Sequence, residues 1–236
     1  MKQTAAVLDW DGTLRRGYEI VDWTNFLDES RRFDHEVAGR QRELVSNYLA
    51  GKITYSQAVF DVGVIYAEGL AGQKVKDTLA LAATFAKNDK AIFDFTPALF
   101  RILLKNNIKI ALISNTPQLL LDEYKKEFKL TQVYGLQVGE RAGSWVNRVI
   151  MNPGLSEVKR RIVAELVNRY NIVLGMGDTH EDAPLLEAAK IRLFLKPENK
   201  PHIRIPDVAQ LEVVDENRVT STVEAALERQ KKEKKA

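Results

Sequence analysis

Four aspartates stand at positions in the sequence where reactive groups are expected. Asp9 and Asp11 follow the short β run Gln3 to Leu8, and Asp178 and Asp182 follow a compact apolar run much later in the chain. Carboxylates that crowd together repel one another and are stable only when a cation or bound protons offset them. Oxygen ligands in a chain without cysteine favour Mg²⁺ over zinc. The pattern therefore predicts a site for a divalent cation.

Asp9 and Asp11 could carry the covalent and proton-transfer steps of a phosphoryl transfer. A carboxylate such as Asp9 can act as a nucleophile and form an acyl phosphate. Asp11 lies two residues further on, so in extended backbone it points to the same side and could act as general acid and base. Gly12 and Thr13 let the chain turn and add N–H groups and a hydroxyl. An Asp-Gly turn with a capping aspartate is the structural alternative.

Two other segments offer groups that bind phosphate oxygens. Ser114 and Asn115 precede a predicted helix, whose first N–H groups would add to their hydroxyl and amide. Helix capping at Thr116-Pro117 explains the same segment without a ligand. Lys159 lies in a first helical turn, where the helix dipole disfavours a cation, so either a bound anion or solvent faces it.

The elements that must position these residues alternate between strand and helix. Compact apolar runs at 3–8, 108–113, 172–176 and 191–195 predict buried strands, with amphipathic helices between them. This order is typical of an α/β fold, a Rossmann-like parallel sheet with helices on both faces. Ligands bind outside the carboxyl ends of such strands. The candidate residues follow three strand ends and are expected to meet there.

A segment of different character follows the first strand. From about residue 20 to 88 apolar residues recur at helical spacing, with breaks near 51–52 and 69–72. We predict that residues 17–89 form an inserted α-helical cap, and that residues 1–16 and 90–236 form the Rossmann-like catalytic core. Within the core we also predict a strand at 133–138 followed by a hairpin at 139–150.

Composition excludes several classes of protein. The 236 residues are 45% hydrophobic and 28% charged, which is typical of a globular chain. The net charge of +3 equals that of the tail 231–235, so the rest is near neutral and nucleic acid is not an expected partner. No apolar run approaches the roughly 20 residues of a membrane span. Without a predicted signal peptide or membrane partner, a cytoplasmic location is expected. The sequence makes no prediction about pairing of two chains.

Taken together, the motifs resemble those of the haloacid dehalogenase superfamily, whose members are mostly Mg²⁺-dependent phosphatases with a Rossmann-like core. The matching segments span nearly the whole chain in the family's order. They are Asp9-Trp10-Asp11-Gly12-Thr13, Leu112-Ile113-Ser114-Asn115, Lys159, and Gly177-Asp178 through Asp182.

The resemblance implies roles for the acidic motifs. Asp9 would be the nucleophile and a Mg²⁺ ligand. Asp11 would be the general acid and base, and its backbone carbonyl would also bind the metal. Asp178 would bind Mg²⁺, with Asp182 and Thr13 in supporting positions. An acidic residue at the position of Asp11 favours a phosphatase or a phosphomutase.

The resemblance also implies that Ser114, Asn115 and Lys159 hold the phosphoryl group. The expected function is Mg²⁺-dependent hydrolysis of a small phosphomonoester, a phosphorylated metabolite, through an aspartyl-phosphate intermediate. A phosphomutase on the same fold and a non-enzymatic binding protein remain alternatives.

The predicted cap resembles that of the phosphoserine phosphatase subgroup, but its substrate-facing positions differ. Where that enzyme has an acidic cap residue beside the first motif, this chain has Tyr18, with Glu19 next to it. Val62 stands near the place of the arginine that meets the substrate carboxylate there. We therefore expect a substrate other than phosphoserine, and Tyr18, Glu19, Arg15 and Arg16 are candidate contacts at the mouth of the cap.

Overall fold

Seven strands form one sheet in a computed structural model that describes residues 2–196 and 203–233. The strands run in the order β4-β3-β2-β1-β5-β6-β7, and neighbours are parallel except for the antiparallel pair β3 and β4. They are β1 (Gln3–Leu8), β2 (Lys109–Pro117), β3 (Gln132–Arg141), β4 (Ser144–Met151), β5 (Tyr170–Gly177), β6 (Ile191–Leu195) and β7 (Glu212–Val214).

Nine helices lie in the described ranges, besides a short 3₁₀ helix at His180–Asp182. Four of them come between β1 and β2: α1 (Glu19–Glu29), α2 (His35–Leu49), α3 (Tyr55–Leu70) and α4 (Val75–Lys87). The others are α5 (Phe95–Lys105), α6 (Gln118–Phe128), α7 (Ser156–Arg169), α8 (Ala183–Glu187) and α9 (Val219–Glu233). No helix among the described residues has both the length and the apolar character that crossing a bilayer requires.

The central position of β1 in the sheet explains why its residues from Ala5 to Leu8 are apolar. Ala5 and Val7 face one buried cluster, which includes residues of α7, whereas Ala6 and Leu8 face a second cluster on the other side. Because successive side chains of a strand point to opposite faces, a strand covered on both faces needs an unbroken apolar run. The predicted α/β fold with helices on both faces is confirmed.

The strand register aligns the candidate site. Leu8 pairs with Leu112 of β2 on one side and with Met176 of β5 on the other. The residues that follow these three positions therefore emerge at the same edge of the sheet. This brings Asp9 and Asp178 together although they are far apart in the sequence.

Residues 17–89, called the helical insert below, are also attached to the β3–β4 hairpin. Gly72 N donates to Trp145 O at 2.9 Å, and Trp145 N donates to Gln73 O at 3.0 Å. The indole Nε1 of Trp145 donates to the hydroxyl of Thr78 in α4 at 3.1 Å. The insert is thus bound to the β3–β4 hairpin in addition to the two segments that connect it to the rest of the chain. The division into core and cap stays a prediction.

Two predicted details are wrong, and the basic tail lies partly outside the described residues. The hairpin does not follow a separate strand: β3 itself is its first arm, and Ala142 and Gly143, both with positive φ, form its two-residue turn. Thr116-Pro117 does not begin the helix, because β2 continues through Pro117 and α6 begins at Gln118. Of the basic tail, residues 234–235 lie outside the described ranges.

Candidate active site

Asp9 is the first residue after the central strand, and its side chain is buried. Its Oδ1 accepts a hydrogen bond from Lys159 Nζ at 2.9 Å, and the hydroxyl of Thr13 lies 3.4 Å from its Oδ2. Burial raises the pKa of Asp9 well above its ordinary value, Lys159 opposes this, and the carboxylates of Asp182 and Asp178 add to the rise. Further positive charge nearby would favour the ionised form of Asp9.

Asp9, Asp178 and Asp182 form a buried acidic cluster in which carboxylate oxygens lie within 4.8 Å of one another. Lys159 contributes the opposing charge, and it bonds both Asp9 and Asp182. Burial alone would lower the pKa of Lys159. The carboxylates of Asp182 and Asp9 raise it by a larger amount, so the ammonium stays charged. Three carboxylates and one ammonium leave a formal charge of −2.

Asp182 is held by donors rather than turned toward a ligand. Its Oδ2 accepts from the backbone N of Asp178 at 3.1 Å and of Thr179 at 2.8 Å, and from the Thr179 hydroxyl at 2.9 Å. Its Oδ1 bonds Lys159. These contacts form a capping box with Thr179 at the start of the 3₁₀ helix His180–Asp182. They also suit Asp182 to a supporting position beside Asp9 and Asp178.

Asp11 lines the same cavity as Asp9, as the predicted turn requires. Gly12 makes this turn with φ of +78°, a value that glycine adopts without strain. Two donors orient the Asp11 carboxylate: the backbone N of Glu19 at 3.0 Å and the hydroxyl of Thr116 at 3.0 Å. Thr116, predicted to cap a helix, is therefore a positioning residue that the sequence reasoning missed.

Ser114, Asn115 and Lys159 also line the cavity. The Oδ1 of Asn115 is buried without a hydrogen-bond partner among the described residues, so this wall keeps unused polar capacity. Gly154 packs against Asn115: a Cβ at position 154 would lie only 2.7 Å from that of Asn115. The small residue leaves Asn115 room at the cavity, and sequence reasoning did not single it out.

The four residues predicted at the mouth of the cap have different places. Tyr18 lines the cavity, whereas Arg15, Arg16 and Glu19 do not. Arg15 is buried and bonds Asp89 at 2.8 Å, and Arg16 pairs at the surface with Glu216. The carboxyl group of Glu19 accepts a hydrogen bond from Trp10 Nε1 at 2.8 Å and contacts the hydroxyl of Tyr124 in the interior. The prediction that Arg15, Arg16 and Glu19 face the cavity is therefore wrong, because residue spacing does not fix side-chain direction where the chain leaves a strand.

Glu181 is a further residue that the sequence reasoning left unassigned. Its Oε2 accepts from the backbone N of Ser156 at the start of α7 at 2.7 Å, and its Oε1 bonds the hydroxyl of Ser56 in α3. It therefore caps the helix that carries Lys159 and joins that helix to the helical insert. The signal in the sequence was its position between Asp178 and Asp182, inside the last of the four motifs.

A family model described as haloacid dehalogenase-like hydrolase matches residues 6–187. The match covers most of the chain and includes every residue of the acidic cluster and the cavity's phosphate-binding candidates. With the fold and the site in agreement, the chain belongs to the haloacid dehalogenase-like hydrolase family. No curated protein shows significant similarity to it.

Solved structures share the fold at low sequence identity. A protein of unknown function from Bordetella pertussis Tohama I has 20% identity and a TM-score of 0.69, over 84% of this chain and 92% of that one. A substrate-bound phosphoserine phosphatase has 13% identity and a TM-score of 0.66, over 94% and 98%. A phosphoserine phosphohydrolase-like protein from Francisella tularensis subsp. tularensis SCHU S4 has 14% identity and a TM-score of 0.64, over 94% and 100%.

Proposed function

We propose that this protein is a Mg²⁺-dependent phosphatase that hydrolyses a small phosphorylated metabolite, a phosphomonoester, through an aspartyl-phosphate intermediate. The observation that carries the proposal is the environment of Asp9. Its buried carboxylate bonds Lys159, lies in an acidic cluster with Asp178, and faces a cavity shared with Asp11 and Ser114. Carboxylates crowded at a cavity are stable only when a cation or bound protons offset them.

The residues present fit a hard divalent cation. The cluster has a formal charge of −2 and supplies oxygen donors, which Mg²⁺ prefers. Asp9 and Asp178 would hold the ion, with the backbone carbonyl of Asp11 as the family resemblance implies, and Asp182 would orient its neighbours. When bound, Mg²⁺ would offset the negative charge of the phosphoryl oxygens.

In the first step, the Asp9 carboxylate attacks phosphorus in line with the leaving oxygen. The bond between phosphorus and that oxygen breaks, and the carboxyl group of Asp11 gives its proton to the departing alkoxide. Lys159 and the Ser114 hydroxyl bind the phosphoryl oxygens as charge develops on them. The product is an alcohol and an acyl phosphate on Asp9.

In the second step, the Asp11 carboxylate takes a proton from water, whose oxygen attacks phosphorus. The bond to Asp9 breaks, phosphate leaves, and both carboxyl groups return to their starting state. Glu19 N and Thr116 hold Asp11 between the two transfers. The helical insert would open to exchange ligands and close to exclude bulk water.

The Asp9→Asn variant tests this proposal. We expect phosphate release from a phosphomonoester panel to fall at least about 10³-fold, because an amide is a poor nucleophile. The matched control is Asp94→Asn, at an exposed aspartate whose side chain makes no helix-capping bond. EDTA should stop the wild-type reaction and Mg²⁺ should restore it. Wild-type rates in Asp9→Asn would contradict the nucleophile assignment.

The same panel separates the alternatives. A phosphomutase would transfer the phosphoryl group to a sugar phosphate without releasing phosphate. A non-enzymatic binding protein would give no turnover and no heat of Mg²⁺ binding in calorimetry.

A further inference from the structure

The cavity in front of Asp9 has two chemically different ends. The carboxylates of Asp9 and Asp11 and the ammonium of Lys159 lie at the sheet edge and are the charged groups among the residues that line it. Resting on the proposed function, we infer that the alcohol released from the substrate is uncharged and apolar, and that the helical insert binds its hydrocarbon body.

The wall contributed by the helical insert carries this inference. Aliphatic side chains from α1, α2 and α3 form most of it, and three tyrosines complete it. The aliphatic residues include Ile20, Val21, Leu44, Val45, Val59 and Val62. Such a surface gains free energy by removing hydrocarbon from water, and it offers no charge to an ionic group.

The tyrosines add polarity but no charge. Tyr18, Tyr48 and Tyr55 line the cavity, with ring centroids of Tyr48 and Tyr55 5.7 Å apart in an edge-to-face arrangement. Burial raises the pKa of Tyr18 and of Tyr55 above the ordinary value, and nearby carboxylates raise it further. The rings therefore add apolar edges to the wall, and the hydroxyls of Tyr18 and Tyr55 carry no charge at neutral pH.

The basic and acidic side chains of the nearest connecting segment are engaged elsewhere. Arg15 bonds Asp89 and Asp22, and the carboxylate of Glu19 bonds Trp10 and Tyr124, all away from the cavity. An amino-acid-like leaving group would have to leave water with its ammonium and carboxylate unpaired, which is strongly unfavourable. The cavity is also small, with a volume of about 50 Å³, so it suits a small alcohol.

Esters of similar shape and different charge test the inference. Propyl phosphate and phosphoethanolamine have the same number of heavy atoms, but the second ends in an ammonium group. We expect kcat/KM for propyl phosphate to exceed that for phosphoethanolamine and for phosphoserine at least about tenfold. The ammonium makes its alcohol the better leaving group, so chemical reactivity alone would give the opposite order. From methyl to ethyl to propyl phosphate, kcat/KM should rise about fourfold for each methylene.

A pair of variants on α2 locates the effect. Val45→Glu places an anion in the apolar wall and should lower the ratio of propyl phosphate to phosphoethanolamine hydrolysis at least about tenfold. Leu49 lies on the same helix, but it is 48% exposed and does not line the cavity. The Leu49→Glu variant should therefore leave that ratio unchanged. Melting temperatures of both variants report on folding, and the wild-type ester series does not depend on either.

Two results would overturn the inference, and they differ in what else they overturn. Phosphoethanolamine or phosphoserine hydrolysed as well as propyl phosphate, or better, would refute an apolar leaving group and leave the phosphatase intact. No hydrolysis of any ester in the presence of Mg²⁺ would refute the proposed function as well.

Discussion

Two clusters of side chains, buried except for Asp22, each combine one basic residue with three acidic ones. The cavity cluster lies at the sheet edge and consists of Lys159, Asp9, Asp178 and Asp182. The connector cluster lies where the chain enters and leaves the helical insert and consists of Arg15, Glu19, Asp22 and Asp89. Their similar composition makes the difference in their surroundings informative.

The negative charge of the connector cluster is offset by hydrogen-bond donors inside the protein and by one proton. The Tyr124 hydroxyl contacts Oε1 of Glu19 and lies 2.9 Å from Oδ2 of Asp89. A hydroxyl has one proton and cannot donate to both carboxylates. If Glu19 is protonated, it donates to Tyr124, and Tyr124 donates to Asp89. Burial, opposed by Arg15 and assisted by Asp11, raises the pKa of Glu19 to about 8, which agrees with this arrangement.

The cavity cluster cannot be neutralised in the same way and still react. Under the proposed mechanism, a proton on Asp9 would make its carboxyl group a poor nucleophile, although burial favours that proton. Asp9 faces a cavity through which an ion could enter, whereas Glu19 is fully buried among aromatic side chains. Under the proposed function, access decides the source of the missing positive charge: a metal ion would supply it at the cavity, and a proton supplies it at the connector.

Asp178→Asn should break the comparison with the largest effect. Removing one carboxylate from the cavity cluster should weaken Mg²⁺ binding by more than about 100-fold and abolish Mg²⁺-dependent phosphate release. Asp22→Asn, in the half-exposed part of the connector cluster, should leave Mg²⁺ affinity unchanged. Titration calorimetry with Mg²⁺ measures both. Equal affinities in the two variants would show that the clusters do not differ as described.

Arg15→Met should give the largest loss of stability. It leaves the buried carboxylate of Asp89 without its cation, which costs about 3–5 kcal/mol of unfolding free energy. Arg16→Met, which removes an exposed ion pair with Glu216, should cost less than about 1 kcal/mol. Urea unfolding monitored by tryptophan fluorescence compares the two variants. A similar loss in both would mean that the connector cluster does not stabilise the fold.

Glu19→Gln sharpens the comparison through pH. Between about 4.5, its ordinary pKa, and about 8 the folded chain holds a proton on Glu19 that the unfolded chain releases. The folded state then binds more protons, so Glu19 lowers stability as the pH rises, by at most about 1.4 kcal/mol per pH unit. Glutamine mimics the protonated acid, and the variant should lose this part of the slope. Parallel stability profiles from pH 5 to 8, measured without metal, would contradict the assignment.

Agreement between sequence and structure is best where a pattern repeats or a motif is local. The apolar runs predicted β1, β5 and β6 because buried parallel strands have no polar face, and helical spacing predicted the helices of the insert. The order of the acidic motifs placed Asp9, Asp11 and Asp178 in one site, since parallel strands end at a common edge. Asp9 and Asp11 do line a single cavity.

Side-chain direction was the part that local patterns did not contain. Arg15, Glu19 and Tyr18 are near neighbours in sequence, yet only Tyr18 turns toward the cavity, since Asp89 and Tyr124 bind the other two. Thr116 matched a helix cap and instead holds Asp11, because β2 continues past it. Both outcomes depend on partners that lie 74 to 105 residues away in the chain.

The sequence alone thus determined the α/β architecture, the family and the acidic and basic residues that meet at the sheet edge, because periodicity and motif order are properties of the linear chain. Only the tertiary structure decided which charges face the cavity, which are paired in the interior, and that the wall above Asp9 is apolar. Those features arise from contacts between distant segments, whose pairing free energies depend on burial and on the geometry of the folded chain.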